Sequence, residues 1–256
     1  MEYIYTIILG VVQGITEFAP VSSSGHLVLL HEWFKLDLSS ELVFDVALHA
    51  GTLFAIIVFF TKDIIHYIKH SPKLLWLFVL SSIPAAIVGF FLEDIIDEKL
   101  RSVWVVVIML VLVAIIFLVV ERKARQRIVL DKIGWKQALT IGFAQMLSLI
   151  PGTSRSGITI STGMALGLSR VDATRFSFLM AIPIFLGVTG KKGIDLIQQP
   201  VSKHEMFLIL IGFVISFVVG MVVIRYLLVF FKRYSLRPFA WYRIVLAVVV
   251  TIVFIL

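Results

Sequence analysis

Six stretches of this chain run long, apolar and nearly free of charge: Leu42–Phe60, Leu74–Leu92, Val103–Val120, Phe176–Val188, Met206–Ile224 and Pro238–Leu256. Most approach the roughly 20 residues needed to cross a hydrocarbon core. The short Phe176 stretch extends through Thr189 and Gly190, and Leu42–Phe60 carries Asp45 and His49. Composition agrees, with 60% of residues hydrophobic and 15% charged, where soluble domains are about half apolar and a quarter charged. A water-soluble globule, a disordered chain and a coiled coil are excluded. The reading is an all-α polytopic membrane protein. The chain has no cysteine, so disulfides and thiolate metal sites are excluded. A net charge of +7 in such a protein marks cytoplasmic loops rather than nucleic-acid binding. No cleavable signal peptide is evident, since Glu2 stands where a basic region would be.

Two further apolar regions, Tyr3–Leu30 and Leu139–Ser169, are interrupted in the middle by Pro, Gly and Ser. Irregular backbone at membrane depth survives only where protein or a wet cavity covers it. Both are therefore read as re-entrant helix–loop–helix hairpins, the alternative being one full span each.

The two broken segments align at an offset of 132: Gly10 on Gly142, Gln13 on Gln145, Ser24 on Ser156 and Gly25 on Gly157. The same offset carries three following spans of the first half onto those of the second. The chain thus divides into two repeats within a single membrane domain, about 1–124 and 133–256, joined by a basic linker. If both broken segments are re-entrant, each repeat crosses three times and the two are inverted. The loops near 61–74, 121–136, 169–175 and 225–243 then share one side and hold 16 Lys and Arg, against six opposite (Lys35, Lys99, Arg101, Lys191, Lys192 and Lys203). The excess of positive charge in cytoplasmic loops places that side inside and both termini outside.

Between Tyr3 and Leu30 the only formal charge is Glu17, and His26 is the one other side chain that titrates near neutrality; between Leu139 and Ser169 the only charge is Arg155. An ionisable group at bilayer depth costs about 2.5–3.5 kcal/mol on insertion scales, and such groups are functional candidates by default. The bland alternative is an ion pair between Glu17 and Arg155 that bolts the hairpins together. Ser22-Ser23-Ser24-Gly25 and Thr153-Ser154-Arg155-Ser156-Gly157 both precede helical runs, offering hydroxyls and backbone N–H groups at helix N-termini suited to anions. The Arg155 fork matches phosphate oxygens. Glu17 and His26 are candidates for metal binding, acid–base work or nucleophilic attack. The inventory points to phosphate chemistry in a membrane.

At these residues the chain resembles the undecaprenyl-diphosphate phosphatase family of the bacitracin-resistance type. The resemblance rests on Gln13-Gly14-Ile15-Thr16-Glu17-Phe18, Pro20-Val21-Ser22-Ser23-Ser24-Gly25-His26 and Pro151-Gly152-Thr153-Ser154-Arg155-Ser156-Gly157-Ile158-Thr159, with Phe176-Ser177-Phe178-Leu179 and Ile182-Pro183 beyond. It implies removal of the terminal phosphate of undecaprenyl diphosphate, the lipid carrier of cell-wall precursors, in the bacterial inner membrane, with the site open to the outer face. It implies a divalent cation, Mg²⁺ or Ca²⁺, held by Glu17 with Gln13. It places functional residues at Ser23, His26, Ser154, Arg155 and Thr159. Ser22 and Ser156 join Ser154, Arg155 and Thr159 as expected diphosphate contacts. His26 is expected as nucleophile or base with Ser23 as its hydrogen-bond partner, while Ser23 itself and water stay open as attacking groups. The expected partners are the polyprenyl diphosphate, membrane lipids and a second copy of the chain.

The sequence departs from the family at Gln13, where many members carry Glu, and at Arg175, where an acidic residue is associated with the family. A second membrane-phosphatase type with a Pro-Ser-Gly-His motif fits poorly, because no His follows Arg155 before His204. An inverted-repeat transporter or flippase is the competing class, separable by whether phosphate is released. Asp45 and His49, four apart, are expected to line a polar groove near the membrane surface rather than to hold metal. Glu93, Asp94, Asp97 and Glu98 read as an acidic outer loop. Trp76, Trp104, Trp135, Trp241 and Tyr242 read as interfacial anchors.

Overall fold

The structure is a computed structural model that describes residues 2–34, 41–100, 102–125, 128–197 and 202–255. Among the described residues the regular elements are helical: α1 (Glu2–Thr16), α2 (Ser23–Phe34), α3 (Glu41–Phe59), α4 (Thr61–His70), α5 (Pro72–Lys99), α6 (Val103–Lys123), α7 (Trp135–Met146), α8 (Arg155–Ala165), α9 (Arg170–Ile197), α10 (Lys203–Phe230) and α11 (Arg237–Ile255). By length and composition α5, α6, α9, α10 and α11 can each cross a membrane. A sixth span is available if α3 and α4, bent by 58° where they meet, count as one. α1 is apolar but shorter.

Five of the six expected spans are recovered as single helices, with corrections at their ends, and Leu42–Phe60 falls on α3, which counts as a span only with α4. The loop expected after Phe60 is the amphipathic helix α4, which buries Tyr67 and exposes Lys62, Ile65, Ile68 and Lys69. α5 continues through Lys99, so the backbone of the acidic cluster from Glu93 to Glu98 is helical and not a loop; the side chains of Glu93, Asp94, Asp97 and Glu98 lie outside the description. α9 is longer than its apolar stretch because Arg170 and Asp172 begin it and Lys191 extends it. The topology assignments of Lys35, Arg101 and Arg127 fall outside the described residues. Arg243, counted above among cytoplasmic loop residues, is fully buried inside α11, so it drops out of the 16 in the charge count.

The helices pack in an exchanged pattern. α1 packs on α10, and α7 packs on α5; α3 also packs on α10, and α9 on α5; α3 meets α9 and α6 meets α11. Shifting by 132 turns each packed pair into another of the set or into itself. In lipid there is no hydrophobic drive between helices, so close backbone approach at small residues holds them. A β-carbon on Gly14 would press on Ser216 O and Val219, and one on Gly142 would collide with Ser81 O. Ser82 Oγ donates to Met180 O at 2.7 Å, joining α5 to α9. At one end, the Arg170 fork grips buried Glu121, which also accepts from Leu236 N at 2.7 Å. Arg175 pairs with Asp63 of α4 at 2.9 Å.

Candidate active site

Both broken segments show helix, break, helix. In the first, helical hydrogen bonding persists to Ala19, whose N–H donates to Ile15 O, and ends at Pro20, which has no N–H to continue. In the second, α7 tightens into a short 3₁₀ turn at Leu147–Leu149 before Pro151 and Gly152. Gly152 has φ +92, and a β-carbon there would also strike the backbone of Val106 in α6.

Each break ends on a serine in the left-handed region, Ser22 at φ 79 and Ser154 at φ 71. Among the described residues these are the two non-glycine residues with positive φ. Such a conformation costs on the order of 1–3 kcal/mol and persists only where its surroundings impose it. The two serines stand 132 apart and do the same local work. Ser22 Oγ accepts from Gly25 N at 3.3 Å, and Ser154 Oγ accepts from Gly157 N at 3.1 Å. They cap α2 and α8, which therefore begin at the breaks with the positive ends of their dipoles there.

Glu17 and Arg155 meet at that place. Arg155 Nη2 donates to Glu17 Oε1 at 2.9 Å, and Arg155 Nη1 donates to Ser177 O at 3.0 Å. The other carboxylate oxygen, Oε2, accepts from Ser23 Oγ at 2.9 Å and from Gln13 Nε2 at 3.0 Å. His49 Nδ1 lies 3.3 Å from Glu17 Oε2 and 2.9 Å from Gln13 Nε2. Phe185 of α9 forms a wall, with the Arg155 guanidinium 4.9 Å and the His49 ring 5.8 Å from its centroid. Thr159 Oγ1 sits 2.6 Å from Ser177 Oγ and donates to Arg155 O. Glu17 is 4% exposed and Gln13 fully buried, whereas the His49 side chain is 30% exposed and opens one side of the cluster.

The structure thus brings Gln13, Glu17, Ser23, Arg155 and Thr159 together. It places Ser22, Ser154 and Ser156 in the walls, where Ser156 Oγ donates to Ala19 O at 3.2 Å and ties one break to the other. It does not pair His26 with Ser23, as expected. His26 Nδ1 lies 2.7 Å from Ser22 O, and Nε2 lies 2.7 Å from the hydroxyl of Tyr242, whose ring stacks on the imidazole. A carbonyl only accepts, so Nδ1 carries the hydrogen in the neutral ring and Nε2 presents its lone pair to the Tyr242 hydroxyl. Tyr242, read as an interfacial anchor, has this second role, while Trp76, Trp104, Trp135 and Trp241 are exposed as anchors should be. Asp45 is taken by His31 at 3.0 Å, and its neighbour His49 belongs to the Glu17 cluster rather than to a separate groove. The i,i+4 spacing with Asp45 was the one sequence signal for His49. Ser177 carried none beyond the Phe-Ser-Phe-Leu resemblance.

Two buried polar atoms in this cluster have no hydrogen-bond partner among the described residues: Gln13 Oε1 and Arg155 Nε. One seeks a cation or donor, the other an anion or acceptor. Among the described residues no group of three or more His, Cys, Asp or Glu side chains could hold a metal ion. The oxygens present are the Glu17 carboxylate, the Gln13 amide and the Ser23 hydroxyl. They are hard ligands of the kind that Mg²⁺ takes when substrate phosphates complete its shell. The residues fit a cation shared with a phosphate ligand and not one caged by the protein alone.

Fold and site together define a helical membrane protein with a buried acid–arginine centre between two broken helices. Comparison with known sequences is specific: residues 6–249 match the model of the family described as Bacitracin resistance protein BacA, and the chain belongs to that family. It is 40% identical to an undecaprenyl-diphosphatase of Rubrobacter xylanophilus over 98% of this chain and 97% of the relative. It is 38% identical to one of Idiomarina loihiensis over 99% of this chain and 100% of the relative. With one of Trichlorobacter lovleyi it shares 39% identity, covering 95% of this chain and 94% of the relative.

Proposed function

We propose that this protein is an undecaprenyl-diphosphate phosphatase, releasing the terminal phosphate of the lipid diphosphate to leave undecaprenyl phosphate. The observation that carries the chemistry is the buried Glu17–Arg155 pair, flanked by the unspent Arg155 Nε and Gln13 Oε1. Two unspent polar atoms beside a buried charged pair favour a site that receives a ligand over a purely structural bolt, because an unmade buried hydrogen bond costs about 1–3 kcal/mol. An incoming diphosphate supplies acceptors for the guanidinium, and a cation it carries supplies a partner for the amide oxygen.

In this reading Arg155, with the N-terminal ends of α2 and α8 and the hydroxyls of Ser154, Ser156, Ser22 and Thr159, holds the diphosphate. It neutralises charge on the transferred phosphoryl group. Glu17 and Gln13 would hold a divalent cation, Mg²⁺ or Ca²⁺, which when bound would supply electrostatic stabilisation of phosphate oxygens. The Ser23 hydroxyl points its hydrogen at Glu17, so the proton of an attacking water reaches the carboxylate directly or through Ser23. The water oxygen bonds to the terminal phosphorus, and the bridging oxygen leaves with its electron pair on undecaprenyl phosphate. A second reading has His26 as the attacking group. It is favoured by the Nδ1 contact to Ser22 O, which fixes the tautomer with a lone pair on Nε2, and it requires that lone pair to leave the Tyr242 hydroxyl.

Phosphate release from undecaprenyl diphosphate by the purified protein tests the proposal, since a transporter releases none. Arg155→Lys keeps the charge and loses the fork, and is expected to slow turnover at least about 100-fold while folding normally. Near-parent turnover by this variant would leave only the structural bolt.

The exchanged helix packing and the 132-residue match of Ser22 with Ser154 support two inverted repeats, with the broken segments re-entrant. The basic bias supports a site open to the outer face of the plasma membrane. In this chain without cysteine, Arg125→Cys and Arg233→Cys are expected to resist an impermeant thiol reagent applied to intact cells. Labelling of position 125 from outside would overturn this orientation.

A further inference from the structure

Arg243 is fully buried, and each of its acceptors is a main-chain carbonyl. Nη2 donates to Gly152 O at 2.8 Å and to Met109 O at 3.0 Å, Nε donates to Leu110 O at 3.2 Å, and Nη1 reaches Pro20 O at 3.5 Å. The guanidinium lies 5.5 Å from the ring centre of Phe117. Among the described residues no carboxylate pairs with it, and a buried cation without one is expensive, several kcal/mol before compensation. Its position explains the expense. Pro20 lies three residues after Glu17, and Gly152 lies three residues before Arg155. One side chain therefore bonds the backbone of both breaks and fixes each to the middle of α6.

We propose that Arg243 is a positioning residue that clamps the two breaks so that Glu17 and Arg155 face each other across the site. The clamp needs a planar fork, because its acceptors belong to three separate segments and are reached from three different nitrogens. A lysine ammonium is a single point and cannot span them. A β-carbon on Gly152 would strike Val106 and Met109, so the glycine lets α6 lie against this break. Tyr242, the preceding residue, holds His26 Nε2, so one turn of α11 touches both breaks and the histidine. The inference rests on the reading that Glu17 and Arg155 carry the chemistry, and its test separates the two.

The first measurement does not need activity. Nitroxides on Ser24→Cys and Leu147→Cys, both exposed and one beside each break, report the distance between the breaks by double electron–electron resonance. Arg243→Met is expected to broaden or shift a distribution that is narrow in the parent. The second is a cycle on kcat. Arg243→Lys is expected to lower kcat by about tenfold to 100-fold when Arg155 is present. It should do so by less than about twofold in an Arg155→Ala background, because alignment no longer matters there. A merely destabilising change would lower kcat by the same factor in both backgrounds. An unchanged distance distribution in Arg243→Met, or equal factors in the cycle, overturns the clamp. If the parent protein releases no phosphate, the functional reading fails, and the distance measurement alone decides the clamp.

Discussion

The two breaks share a backbone and differ in chemistry. Each leads through a proline to a left-handed serine that caps the next helix. At the positions that count, the 132-residue match sets Glu17 against Leu149, Ser23 against Arg155 and His26 against Ile158. One break carries the acid and the hydroxyl, the other the guanidinium, and the candidate centre forms where they meet. The same turn geometry thus recurs at two helix N-termini, while a few side chains at matching positions supply opposite charges. The buried glutamines show the same split. Gln13 spends its amide N–H on Glu17, whereas both polar atoms of Gln145 lack a partner among the described residues.

Making the first break resemble the second gives the largest expected effect. Glu17→Leu copies Leu149 and leaves Arg155 buried without its partner. Turnover should fall to background at every Mg²⁺ concentration, and stability should drop by about 3–5 kcal/mol. Adding Arg155→Met should restore stability and leave activity absent. Recovery of turnover in the double variant would show that the pair is structural.

His26→Gln separates the two readings of the attack: a loss of about 10²–10⁴ in turnover, the range for a positioned base, is expected if His26 serves the reaction, and substantial turnover if water attacks beside Glu17. An acid-labile phosphohistidine trapped in the parent would assign the attack to His26. Substantial activity in the variant assigns it to water or Ser23 beside Glu17.

The glutamines sharpen the comparison with smaller effects. Gln13→Glu should shift the Mg²⁺ midpoint several-fold lower, because a second carboxylate binds a hard cation more tightly than an amide. Gln145→Met should leave turnover unchanged and raise the melting temperature, since two unpaired polar atoms leave the interior. A loss of activity in Gln145→Met would mean that the second glutamine also serves the site.

Much of this architecture was legible in the chain because lipid allows few solutions. Apolar length marked the spans, and Pro, Gly and Ser marked the breaks. Glu17 and Arg155 stood out as the only charges in their segments. What escaped depends on contacts between distant residues. His49 reaches Glu17 from α3, and nothing local distinguishes it from Asp45, which turns to His31. Arg243 lies near the start of an apolar run, where a cation ordinarily marks a loop; only the folded chain shows four carbonyls converging on it. Helix α4 was missed because it is short and charged, and the bend at Phe60 that defines it has no sequence marker. His26 and Ser23 share the start of α2, yet one turns to Tyr242 and the other to Glu17.

Because α1 packs on α10 and α7 on α5, neither half can finish folding by itself. When the ribosome has inserted the first half, the faces of α1 and α3 that will meet α10 still lie against lipid, and Glu17 has no arginine. Maturation of the centre is therefore a late, cooperative docking of two inserted halves and not a stepwise growth from the amino terminus. Two polypeptides divided at the basic linker and made in the same cell should find each other in the bilayer, each completing what the other lacks.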